Sequence, residues 1–221
     1  MPTSPRLQQA DLWRLDPLVA DKILSLPTSD HLDICTQILP PSPRSQRGQG
    51  FALAYGFHPS AFGETLLVAH ERGLVALGFV IGQDRAGALK DLQGRWPAAD
   101  FAHRPELTEP FVQQIFASQN HAPQDNLKVL MLGSAFEIQV WKSLLDIPAG
   151  QTSTYSALAA KLGRPQAARA IGSAVGRNPL AVLIPCHRVV GRNGTLTGYH
   201  WGLACKQALL QWEAGLVRLK D

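Results

Sequence analysis

Along the first half of the chain, short apolar or alternating runs give way to stretches with helical spacing. Residues 51–55, 64–70 and 74–81 are such runs, and Glu71-Arg72-Gly73 reads as the turn between the last two. A helix is predicted over 85–96, because Leu89, Leu92 and Trp96 recur at three- and four-residue steps. A shorter helix is predicted over 110–118. Strands followed by helices predict a small antiparallel sheet of α/β type. Upstream, Asp16-Pro17 reads as the N-cap and first-turn proline of a helix that stops before Pro27. The stretch 40–49, rich in Pro, Ser, Arg and Gly, reads as a linker.

A polar stretch over 119–126 separates this region from a second one. There Ser134 and Glu137 form a capping-box pattern, followed by the apolar stripe Phe136, Val140, Trp141, Leu144 and Leu145. That helix ends before Pro148-Ala149-Gly150. Residues 154–162 and 166–175 both read as helical, joined by Gly163-Arg164-Pro165, which makes a helix-turn-helix candidate. A plain helical hairpin is the alternative on pattern alone. Residues 181–184 read as a buried apolar strand, Gly191-Arg192-Asn193-Gly194 as a turn, 195–199 as a loop and 203–213 as a closing helix. The expected organisation is an extension and linker over 1–48, an α/β domain over 49–126 and a mainly helical domain over 127–221.

Composition narrows the class. The 221 residues are 45% hydrophobic and 17% charged, which fits a globular chain with a sizeable core. No apolar run approaches the roughly 18 residues of a membrane span. Polar and acidic residues through 1–26 show neither a secretory signal nor a transit peptide, so a cytoplasmic location and no membrane partner are expected. Three widely spaced cysteines, Cys35, Cys186 and Cys205, argue against a disulfide framework and a thiolate zinc site. A single reactive thiol remains open. Charge is uneven: residues 151–221 carry nine basic and two acidic side chains, whereas 1–150 carry 12 basic and 15 acidic ones. A basic C-terminal third suits a polyanion partner, or is simply a solvated face.

The candidate chemistry lies in Pro185-Cys186-His187-Arg188. Cysteine reacts as its thiolate, so it needs a base or positive field, which His187 and Arg188 could supply. In extended backbone adjacent side chains point opposite ways, so His187 is expected to reach Cys186 through a bridging water. Taken alone, a cysteine after an apolar strand is more often an inert core thiol, and a lone histidine more often structural.

Together, Arg177-Asn178-Pro179, Pro185-Cys186-His187-Arg188-Val189, Thr197-Gly198-Tyr199 and Glu213 resemble the methylated-DNA–protein-cysteine methyltransferases, or alkylguanine-DNA alkyltransferases. The likeness runs from about 133 to 215. It reaches more weakly back to 51, where Glu71-Arg72-Gly73 and Trp96-Pro97-Ala98 are similar to the bacterial adaptive-response type. The metal-binding cysteine cluster of the larger adaptive-response relatives is absent, and no clear metal-ligand set is present.

The resemblance implies a ribonuclease-H-like N-terminal domain and a helix-turn-helix that enters the minor groove. It implies single-turnover transfer of an alkyl group from the exocyclic oxygen of guanine in double-stranded DNA to Cys186, without a cofactor, by a monomer. His187 would take the thiol proton, Glu213 would orient His187, and Asn178 would form a hinge. Tyr155 would rotate the damaged nucleotide, Arg169 would fill the gap in the base stack, and Tyr199 would line the pocket and donate to the base. Two other readings stay open: a lesion-binding or regulatory helix-turn-helix protein, and a Cys-His hydrolase, although such hydrolases usually draw the two residues from distant parts of the chain.

Overall fold

The structure, a computed structural model, describes residues 32–60, 62–82, 84–116 and 126–218. The helix expected before Pro27 and the stretch 119–125 lie outside the described residues. β1 (Leu32–Ile38), β2 (Ala52–Ser60), β3 (Gly63–His70), β4 (Gly73–Phe79), β5 (Asp100–His103) and β6 (Leu127–Gly133) form one sheet. Its order is β1-β6-β4-β3-β2-β5.

Two sequence expectations are corrected here. The sheet is mixed, not antiparallel: only β2–β3 and β3–β4 run antiparallel, while β1–β6, β4–β6 and β2–β5 are parallel. The boundaries expected at 48/49 and 126/127 also cut through this sheet. β1 comes from the supposed extension, and it pairs with β6, from the supposed second domain, between Leu32↔Leu127 and Ile38↔Gly133. Alternation along a strand shows that a strand exists but carries no information on its neighbours, and parallel neighbours are far apart in sequence. The stretch 40–49, read as a linker, includes a short 3-10 turn at Arg44–Gln46.

Successive residues on the central strands face opposite sides, so the sheet divides two cores. Leu67, Leu74, Leu77, Phe79, Val129 and Met131 join one core, which also holds the C-terminal segments. Leu66, Val68, Val75, Ala76, Leu130 and Leu132 join the other, under Ala88, Leu92 and Trp96. Each fully buried leucine in these rows stabilises the fold by roughly 1.5–3 kcal/mol relative to exposure.

Helix α1 (Arg85–Gln93) starts at Asp84, whose carboxylate accepts from Gly87 N at 2.7 Å. Helix α2 (Pro105–Phe116) begins five residues before the expected start at 110. Pro105 takes the first turn, where a missing N–H costs nothing, and Pro110 lies inside. Helix α3 (Ala135–Leu144) carries the expected capping box between Ser134 and Glu137. Its Trp141 donates to Ala174 O at 2.9 Å, and a Cβ on Gly133 would stand 2.8 Å from the Trp141 ring. Only glycine lets β6 end that close to the indole.

Helices α4 (Tyr155–Lys161) and α5 (Ala168–Gly176) are separated by Gly163, at φ +68°, and a 3-10 turn at Pro165–Ala167. A two-residue parallel pair, β7 (Ser153–Thr154) with β8 (Val189–Val190), ties the entry to α4 to the chain after Cys186. Helix α6 (Leu203–Arg218) closes the fold, running past the expected end at 213. Among the described residues no helix is long and apolar enough to cross a membrane.

Candidate active site

The strand expected over 181–184 is instead a chain of tight turns hung on the sheet by one bridge. Leu77 N donates to Pro179 O at 3.0 Å and Ala181 N to Leu77 O at 2.9 Å. Turns then close through Leu183 N to Ala181 O at 2.7 Å, Ile184 N to Leu180 O at 3.0 Å and Cys186 N to Ile184 O at 2.7 Å. Val182 sits at φ 68°, a strained position for a β-branched residue. The run is continuously apolar because it is buried on all sides, and that signature does not distinguish a strand from a turn.

Asn178, 1% exposed, holds these turns together. Its Oδ1 accepts from Leu180 N at 3.0 Å, while its Nδ2 donates to Ile184 O at 2.8 Å and Leu180 O at 3.3 Å. The same Nδ2 donates to Cys186 Sγ at 3.2 Å. One amide thus links the end of α5 to the thiol.

Cys186–Arg188 form a 3-10 turn, so the extended geometry expected for Cys186 and His187 does not hold. His187 is fully buried, and its Nε2 lies 2.7 Å from Glu213 Oε1. With Glu213 ionised, the proton belongs on Nε2 and Nδ1 becomes an acceptor. Among the described residues that buried Nδ1 has no hydrogen-bond partner. Glu213, from α6, is further held by Arg188 Nε (3.1 and 3.0 Å), Arg188 Nη2 (2.8 Å) and Gly150 N (3.3 Å). Arg188 Nη1 also donates to Ile147 O.

Burial sets the protonation states. Burial alone would raise the Glu213 carboxyl, but hydrogen bonds and charge from His187 and Arg188 overcome it and bring the pKa down to about 2. Burial lowers His187 despite Glu213, so the imidazole is a neutral base. Burial likewise pushes the Cys186 thiol up, more than the Asn178 hydrogen bond and the Lys206 and Arg95 charges pull it down. The resting group is therefore a thiol, with 6% of the residue exposed.

Two contributors escaped the sequence reading, and a third, Arg188, clamps Glu213 where the sequence suggested a positive field for Cys186. Arg95, beyond α1, lends its field to Cys186. Lys206, with no exposed surface, donates from Nζ to Val189 O at 2.5 Å and Thr197 O at 2.8 Å. Lys206 was findable: Cys205, Leu209 and Trp212 make the buried stripe of α6, and a lysine inside such a stripe is anomalous.

Tyr199 packs edge-on to Trp201 with ring centroids 5.6 Å apart. Its hydroxyl is buried without a hydrogen-bond partner among the described residues, and burial pushes its pKa well up. Tyr155 and Arg169 belong to α4 and α5, not to the turn that carries Cys186. Tyr155 is half-buried against Gly172 of α5, and Arg169 is exposed near the start of α5. The inner face of α5 is Ile171, Ala174 and Val175, which leaves Arg169, Ala170, Ser173 and Gly176 outward. Cys35 lies on β1, where Arg72 Nη2 donates to its Sγ at 2.7 Å. Among the described residues no group of three or more His, Cys, Asp or Glu side chains is placed to hold a metal ion.

The family model of the 6-O-methylguanine DNA methyltransferase DNA-binding domain matches residues 135–215. A methylated-DNA–protein-cysteine methyltransferase of Methanosarcina barkeri is 37% identical over 165 residues, covering 74% of this chain and 99% of the relative. The bifunctional transcriptional activator/DNA repair enzyme Ada of Escherichia coli is 40% identical over 168 residues, 76% of this chain. The matched region spans only 47% of that relative's length. Among solved structures, Mycobacterium tuberculosis OGT in complex with DNA matches with a TM-score of 0.57 and 32% identity, covering 74% of this chain and 94% of that one.

Proposed function

This chain belongs to the methylated-DNA–protein-cysteine methyltransferase family, and from that premise we propose that it repairs alkylated DNA by direct reversal, consuming its own Cys186. The observation that carries the reading is a buried thiol held by an amide and followed in the chain by a histidine with an open acceptor. The Asn178 amide touches Sγ, His187 offers a bare Nδ1, and the Tyr199 hydroxyl is buried without a partner.

The substrate is double-stranded DNA bearing an alkyl group on the exocyclic oxygen of guanine. We read α4 and α5 as a helix-turn-helix and the mixed sheet as ribonuclease-H-like. The outward face of α5, nearly free of large side chains, allows close approach to the minor groove. Tyr155 presses on the backbone and Arg169 fills the space vacated by the lesion. Flipping the base costs about a few kcal/mol, less at a weakened pair. With 6% of Cys186 exposed, admission of the base requires a local opening beside Tyr199.

His187 Nδ1 then accepts the thiol proton through one water, and Glu213 holds the resulting imidazolium. The Asn178 amide stabilises the thiolate. Sγ attacks the alkyl carbon, a C–S bond forms, and the C–O bond breaks with its electron pair returning to the base. Tyr199 donates a hydrogen bond to that base as negative charge develops. The thioether is stable, so each molecule acts once, as a monomer and without a cofactor, in the reducing cytoplasm that keeps Cys186 a thiol.

Intact-mass measurement after mixing with duplex carrying O6-methylguanine tests this reading. A gain of one methyl group is expected, and none for Cys186→Ala. An unchanged mass with tight binding would instead mark a lesion-binding protein, and methylation of Cys186→Ala would remove the acceptor assignment.

A further inference from the structure

A cavity of about 790 Å³, whose lining includes Arg95 but not Cys186, lies where the end of β1, the end of α1, the start of α3 and the end of α5 meet. Four arginines line it: Arg44, Arg47, Arg95 and Arg177, against the two carboxylates Asp91 and Glu137. Glu137 is already saturated. Its oxygens take Arg47 at 3.1 Å and Arg177 at 2.6 Å, with Ser134 N and Oγ both at 2.8 Å. Asp91 is held by His200 at 2.6 Å, leaving Arg95 at 3.9 Å. Among the described residues the Arg44 side chain bonds only the Gly94 carbonyl, at 3.4 Å.

Among the described residues Arg44 thus has no carboxylate partner, and Arg95 has only the longer contact to an Asp91 that it shares with His200. Arg95 is the more demanding of them. Its side chain is only 14% exposed, its Nη1 donates to Arg177 O at 2.6 Å, and its Nε is buried without a partner among the described residues. A mostly buried cation with an open donor is costly unless an anion reaches it. Planar guanidinium forks match the oxygens of a phosphate, and the volume exceeds what one phosphate fills.

We propose that this arginine cavity is a binding site for a phosphate group, supplied either by the DNA backbone or by a free phosphate monoester. The backbone source rests on the repair reading. Arg177 follows α5 directly, and nine residues of helix place it roughly 13 Å along the axis from the start of α5 beside Arg169. A strand following the outer face of α5 would bring later phosphates to the cavity mouth.

Titrating the full chain with inorganic phosphate against chloride at constant ionic strength, by calorimetry, tests the site without any alkyl transfer. Saturable binding is expected, weakened about tenfold in Arg44→Ala and in Arg95→Lys. Arg44 is exposed, so that variant keeps the test valid if Arg95→Lys misfolds. Arg104→Ala, an exposed arginine paired with Glu106 outside the cavity, controls for diffuse charge. If duplex binding by Arg44→Ala also shows a salt slope shallower by about 1, the source is the DNA backbone. An unchanged slope with saturable phosphate binding assigns a free monoester. Absence of saturable binding, or equal weakening in Arg104→Ala, overturns the proposal.

Discussion

Two glutamates lie at the centre of two buried ionic clusters, and their difference separates support from chemistry. Glu137 is 3% exposed and Glu213 is 2% exposed, each is held by arginine, and each has its pKa lowered. Glu137 caps α3 and binds Arg47 and Arg177, guanidinium partners that offer donors and no acceptor. Glu213 gives one oxygen to a histidine whose far nitrogen is open. Burial and a shifted pKa are common to both. Only the second cluster has somewhere for a proton to go.

The sharpest way to break this contrast is His187→Gln, which keeps a polar side chain but removes the base. Alkyl transfer, followed by single-turnover kinetics on methylated duplex, should fall by about 10²–10⁴-fold. A loss below threefold would leave Glu213 as structural as Glu137. Next in size is Glu137→Gln. Breaking its buried pairs should cost about 3 kcal/mol in urea unfolding, with Tm lower by roughly 6–12 °C. Its effect on the rate of transfer per folded molecule should be at least about tenfold smaller than that of His187→Gln.

The pH dependence of stability sharpens the same comparison. Glu213, lowered to about 2 from an ordinary 4.5, contributes stability present above 4.5 and lost as pH falls toward 2. Cys205, pushed up to about 12 from 9.0 mainly by burial, contributes stability present below 9 and lost as pH rises toward 12. Urea midpoints should therefore decline on both sides, with the alkaline decline reduced in Cys205→Ala. An unaltered alkaline limb would contradict the burial argument. The smallest expected effect is Ser134→Ala, which removes the capping-box hydroxyl and should cost about 1 kcal/mol without slowing transfer tenfold.

Much of this was legible before the structure. Ser134 and Glu137 mark the start of α3 because a capping box is a local contract between neighbouring residues. The helices α1, α4 and α5 follow from spacing, and Gly163 from the turn it permits. The strand expected over 181–184 failed because a fully buried turn and a fully buried strand share one hydrophobicity signature. β1 was read as part of an extension because an edge strand with one buried end shows little alternation. Its parallel partner lies about ninety residues away, a distance over which local pattern is silent.

The motif around Cys186 and its family likeness were present in the order of residues alone, because neighbours along a chain stay neighbours in any fold. The capping, the turns and the amphipathic faces share that origin: each depends on a few adjacent side chains and the backbone between them. What the order of residues left open is which distant groups share a dielectric. Folding brought Glu213 onto both His187 and Arg188, buried Lys206 against two carbonyls, and set the Arg95 charge within reach of Cys186. Those contacts decide which groups carry charge at neutral pH. They exist only once the sheet and helices have closed and water has been excluded.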